Sequence, residues 1–189
     1  MFQIKIKNIK YGISFSFFAV IALLYLCSDA MTDKVLTALM CCAFHELGHI
    51  IFMVIFSSPP EKIVIYGGGI RITPQNEKML SEKKDIIILL AGCGVNFLLA
   101  FITIIINGKL DFFSETNILL GAFNLLPFKY FDGGKVLYKI CKGGRACDFT
   151  RGIFILMTAA VIIQMNLNGI INISFMLTFL FVAVSELLF

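Results

Sequence analysis

Uncharged runs, parted by short charged ones, set the layout of this chain. About 20 consecutive apolar residues span the hydrocarbon of a bilayer, and a charge at its centre is expensive. Residues 11–27, 35–57 and 86–106 are therefore predicted crossing helices. The first follows Lys5, Lys7 and Lys10 and precedes Ser28-Asp29-Ala30, a small-x-small sequence of the signal-peptidase kind. Its apolar run exceeds the roughly 7 to 15 residues of a signal peptide, which favours an uncleaved helix. Residues 58–85 break the pattern. They open on Pro59-Pro60 and continue through the β-branched run from Ile63 to Thr73, which contains Gly67, Gly68 and Gly69. Such a run predicts a strand or hairpin. Because open backbone cannot face lipid, it belongs at the interface or under protein. Residues 117–128 are uncharged but too few for a plain crossing helix, and they end near Pro127. Residues 152–185 carry no charge, and the turn-forming stretch 164–169 predicts their division into two helices.

The predicted fold class is thus an all-α polytopic membrane protein of about six transmembrane helices, with a small interfacial β-strand or hairpin between the second and third. Residues 1–189 form a single integral-membrane domain in this reading. Composition agrees: 59% of residues are hydrophobic and 15% charged, which excludes an ordinary soluble domain. The net charge of +4 could suggest nucleic acid, but its distribution points elsewhere. With six spans, every Lys and Arg except Lys34 and Lys109 falls on one side. The positive-inside rule then puts both termini in the cytoplasm, with the lipid bilayer as the surrounding partner and no nucleic acid. Six cysteines show no disulfide framework; most lie in or beside apolar runs, where a free thiol is a small hydrophobe.

Both histidines of the chain fall in Phe44-His45-Glu46-Leu47-Gly48-His49-Ile50, inside an otherwise uncharged run. On a helix, residues four apart share a face, so His45 and His49 can hold one Zn²⁺ while Glu46 reaches a water beside it. Bound zinc brings the pKa of water to about 7, and a neighbouring carboxylate can carry the proton to a leaving amine. Two other readings stay open: a buried polar cluster for packing, and a transporter using the His/Glu cluster as a metal or proton site. Catalytic zinc needs a third protein ligand and an open position. Asp132 is the candidate, in Asn124-Leu-Leu-Pro127-Phe-Lys-Tyr-Phe-Asp132-Gly133-Gly134, where Pro127 interrupts a short apolar helix and the glycines permit a tight turn. Two neutral imidazoles, Zn²⁺ and Asp132 sum to +1, which Glu46 can offset.

Taken together, His45-Glu46-Leu47-Gly48-His49 on an early span and Asn124-x-x-Pro127 followed by Asp132-Gly133 on a later one resemble the site-2 proteases. These are the intramembrane zinc metalloproteases of regulated intramembrane proteolysis. The compact layout is similar to the minimal members, including the stage IV sporulation processing proteases. The resemblance implies that His45, His49 and Asp132 ligate one zinc and that Glu46 activates water. It also aligns Ala91-Gly-Cys-Gly-Val-Asn96 with the family's Gly-Pro-x-x-Asn-like segment, Cys93 standing in place of proline. Asn96 and Asn124 thereby become candidate catalytic amides, holding a peptide carbonyl or the developing oxyanion, with an interhelical packing role as the alternative.

The expected function is an intramembrane zinc endopeptidase that cuts a transmembrane or membrane-associated protein near the cytoplasmic leaflet. The interfacial strand would hold that substrate extended by adding it as a further strand. The sequence shows no regulatory soluble domain, so control is expected from a membrane partner or from substrate presentation.

Overall fold

A computed structural model of the chain describes residues 2–6, 9–26, 32–66, 69–74 and 80–167, with residues 180 and 184. Its elements are β1 (Phe2–Ile6), β2 (Ile9–Ile13), α1 (Phe15–Leu26), α2 (Thr32–Ile55), β3 (Pro60–Tyr66), β4 (Gly69–Pro74), α3 (Glu82–Asn107), α4 (Phe112–Asn124), α5 (Asp132–Ile140) and α6 (Arg145–Leu167). They fall into two compact units, Met1–Ala122 and Phe123–Phe189.

The first unit carries a four-stranded sheet in the order β1-β2-β3-β4. The predicted hairpin is β3 and β4, antiparallel with Ile63 opposite Ile72 and Ile65 opposite Ile70. Two further strands correct the reading of the N-terminus. Phe2–Ile6 and Ile9–Ile13 form an antiparallel ribbon, and β2 pairs in parallel with β3, Tyr11 beside Ile63 and Ile13 beside Ile65. Lys10 lies on this seam and donates from Nζ to Glu61 Oε1 at 3.0 Å. The predicted helix over 11–27 is consequently shortened: its first residues are strand, the Ser14 N–H donates to the Ile65 carbonyl, and α1 has only 12 residues. Twelve residues rise about 18 Å, short of the roughly 30 Å hydrocarbon.

Among the described residues three helices are long and apolar enough to cross a membrane: Asp33–Ile55, Glu82–Asn107 and Arg145–Gln164. The count of six is not reached among the described residues. The expected last helix lies outside them, as do the Ser28-Asp29-Ala30 segment and residues 168 and 169 of the 164–169 division. Within that division α6 continues as helix through Gln164 and Asn166 to Leu167. The same helix begins at Arg145, ahead of the uncharged run, and Arg151 is buried in it, donating from Nε to the Pro127 carbonyl at 3.3 Å.

Helix α2 buries Cys41, His45, His49 and Met53, a stripe at intervals of four, while Leu47, Ile51 and Val54 stay exposed. Helix α3 answers with Ile88, Ala91, Gly92, Cys93, Asn96 and Ala100. The contact is close because both backbones lack side chains there. A Cβ on Gly48 would lie 2.7 Å from the Ala91 carbonyl oxygen and 3.0 Å from Gly92 Cα. Small residues at a helix seam let van der Waals packing replace the hydrophobic drive that lipid removes.

Helix α3 stops at Gly108, whose φ of 64° is left-handed and whose N–H reaches the Ile104 carbonyl. Helix α4 starts from Asp111, whose Oδ1 accepts from the Ser114 N–H at 2.8 Å while Ser114 Oγ accepts from the Asp111 N–H at 2.9 Å. These bonds to Ser114, with a further one from Asn107, hold the Asp111 carboxyl below the usual carboxylate range.

Candidate metal centre

The first unit builds a polar cluster inside an apolar setting. His45 and His49 are 4% and 8% exposed, and their ring centroids lie 4.8 Å apart at 85°. Each ring is held from behind. His45 Nδ1 is 2.6 Å from Asn96 Oδ1, and His49 Nδ1 is 2.7 Å from the Ile88 carbonyl oxygen. A backbone carbonyl only accepts, so His49 carries its proton on Nδ1. Asn96 is oriented just as firmly: its Nδ2 faces the Cys41 carbonyl at 3.2 Å and Asn117 Oδ1 at 2.7 Å, leaving Oδ1 to accept from His45 Nδ1. Both rings in this arrangement are Nδ1–H tautomers, so both Nε2 atoms bear lone pairs. Those two atoms face each other at 3.1 Å.

Nitrogens at that separation are suited to sharing one positive charge, a proton or a metal ion. A metal ion suits the donors, because imidazoles that ligate a metal commonly donate their second nitrogen to a carbonyl or carboxyl-type oxygen. Space is cleared for the rings by Gly92, where a Cβ would lie 2.5 Å from His49 Nε2 and 2.8 Å from His45 Cε1. Glu46 follows His45 on α2 and is half-buried.

Asn96 meets His45, and in a particular capacity. Its amide already serves His45, Cys41 and Asn117. Asn117, fully buried on α4, is the member that sequence reading missed; its Nδ2 donates to the Phe113 carbonyl at 2.9 Å and to Cys41 Sγ at 3.1 Å. A buried amide in an apolar helix was the available signal, and no spacing rule linked it to residues 41 or 96. Among the described residues all cysteines are free thiols.

The second unit holds the other two candidates. Asn124 is the last residue of α4 and half-buried. Asp132 opens α5 and is 6% exposed, with one carboxylate oxygen 2.9 Å from Lys135 Nζ. An ionised carboxylate is favoured in the first turn of a helix, where the peptide dipoles point positive. The expected tight turn at Gly133-Gly134 is corrected: both lie in the first turn of α5. They are glycines because a Cβ on either would collide with backbone, that of Leu125 for Gly133 and that of Phe128 for Gly134. The broken helix therefore returns on itself too closely for any side chain.

A sheet laid against apolar helices, one of which presents paired imidazoles from within a bilayer-length stretch, defines a class of helical membrane protein with an internal polar site. A solved structure similar in fold is the Site-2 Protease from Methanocaldococcus jannaschii, which superposes with a TM-score of 0.67 over 98% of this chain and 95% of its own, at 22% identity. The two proteins share a fold. No sequence-family description and no curated protein matches the chain.

Proposed function

We propose that the chain is an intramembrane zinc endopeptidase of the site-2 protease kind. The observation that carries this is the pair of Nε2 atoms facing at 3.1 Å, each ring fixed by an acceptor on Nδ1. The shared fold and the order of the two sequence motifs support the same reading. His45 and His49, with Asp132 of the second sequence motif as third ligand, would hold one Zn²⁺. Two imidazoles and a carboxylate leave an open position, as catalytic zinc requires. When bound, the ion lowers the pKa of water and polarises a peptide carbonyl.

The chain's own residues supply the rest. Glu46 accepts the proton of the water that adds to the peptide carbonyl and delivers it to the leaving nitrogen. Asn96 keeps His45 in the ligating tautomer, a task that occupies both of its N–H bonds. Asn124 is left as the amide to hold the substrate carbonyl. An extended transmembrane or membrane-associated protein would be gripped along β4, an edge strand of the sheet, by backbone pairing. If the Lys and Arg residues sort to one side as the sequence pattern implies, both termini and the cut would lie toward the cytoplasm, with substrate presentation or a membrane partner as the means of control.

The test is zinc content of detergent-purified protein, measured beside cleavage of a transmembrane substrate. Wild type should hold about one zinc and cut. Glu46→Gln should hold zinc and not cut, and Asp132→Ala should lose the metal. Normal zinc in Asp132→Ala would remove Asp132 as a ligand. A wild type without zinc but with proton or metal flux in vesicles would replace the protease with a transporter.

A further inference from the structure

We infer that Asn117 is a positioning residue: it sets the orientation of the Asn96 amide and, through it, the tautomer of His45. This extends the zinc reading, from which it takes its functional meaning. What each partner can donate or accept fixes the arrangement. The Phe113 carbonyl can only accept, so Asn117 must turn Nδ2 toward it, at 2.9 Å. Asn117 Oδ1 then faces Asn96 and accepts from its Nδ2 at 2.7 Å, the shorter of the two bonds that group makes. Asn96 Oδ1 is left toward His45 Nδ1 at 2.6 Å. Two amides thus pass a fixed direction from the backbone of α4, across α3, to a ring on α2.

Direction matters because an amide has two faces of opposite sense. If Asn96 turned over, it would offer an N–H to His45 Nδ1, favour the proton on Nε2, and cover the lone pair that faces His49. Asn96 and Asn117 are both fully buried, so water cannot supply the missing acceptor. With Asn117 gone, only the Cys41 carbonyl at 3.2 Å opposes the flip. Asn117 touches neither histidine in this scheme and acts solely through Asn96.

The chain has two histidines, so ¹⁵N-histidine labelling resolves both rings in the metal-free full-length protein. At alkaline pH, wild type should show Nδ1–H for both. Asn117→Leu, close in size but without an acceptor, should shift one ring toward Nε2–H and weaken Co²⁺ binding about 10- to 100-fold, the usual effect of removing an outer partner. Asn117→Asp keeps the acceptor and should stay near wild type in both readings. In an Asn96→Asp background, where either carboxylate oxygen accepts from His45, Asn117→Leu should cost nothing further. Unchanged tautomers in Asn117→Leu would overturn the inference. So would an equal loss in both backgrounds, a loss in Asn117→Asp as large as that in the leucine variant, or failure of both Asn117 variants to fold, since each marks plain packing. The zinc reading fails separately, if wild type takes up no Co²⁺ while the tautomers behave as described.

Discussion

At Gly92 a hydrogen atom stands where any other residue would put carbon against the two imidazoles, 2.5 Å from His49 Nε2. Gly92→Ala should therefore displace the rings and reduce Zn²⁺ affinity by about tenfold or more, checked by competition with a chromogenic chelator. The helix itself should survive, since alanine is the better helix former by about 1 kcal/mol. Residues of this kind divide by how far their partners lie along the chain. His45 and His49 were legible because one helical turn joins them, and Asn96 through a motif. Asn117 was not, because its side-chain partners are 76 and 21 residues away and only the folded contact of α2, α3 and α4 reveals them.

Elements were legible where length or period was strong. Helices α2 and α3 follow from uncharged runs, and β3 with β4 from β-branched alternation. Strands β1 and β2 were obscured by their lysines: Lys5 and Lys10 pair across the ribbon, yet in sequence they look like the basic flank of a membrane helix. The start of α4 shows how a polar cap sets an element boundary. Bonds from Ser114 depress the Asp111 carboxyl, so this group stabilises the fold above the ordinary carboxylate range, and the contribution is lost as pH falls through its lowered value. Asp111→Ala should lower the Tm at neutral pH. The gap to wild type should close only when pH falls below about 3.9, the unfolded aspartate value, as followed by thermal unfolding across pH.

For the whole molecule the apolar exterior is the controlling fact. Phe101, Leu98 and Ile105 on α3 are more than half exposed, as suits a surface that faces lipid. Leu98→Arg, near the middle of that helix, should disfavour insertion by about 2.5–3.5 kcal/mol, read as the inserted fraction in a translocation assay. A mere swap to isoleucine should leave it unchanged. The number of crossings was the least legible feature, because a run of uncharged residues does not say where a strand ends and a helix begins, as residues 11–27 demonstrate.

The parallel seam between β2 and β3 also imposes a timetable on the nascent chain. The N-terminal ribbon leaves the ribosome first, but the strand that must flank it is about 50 residues behind, beyond both α1 and α2. A lone two-stranded ribbon is marginal in water. At synthesis rates of roughly 5–20 residues per second it waits some seconds for its neighbour, so the sheet closes only after the helix bearing His45 and His49 has been made.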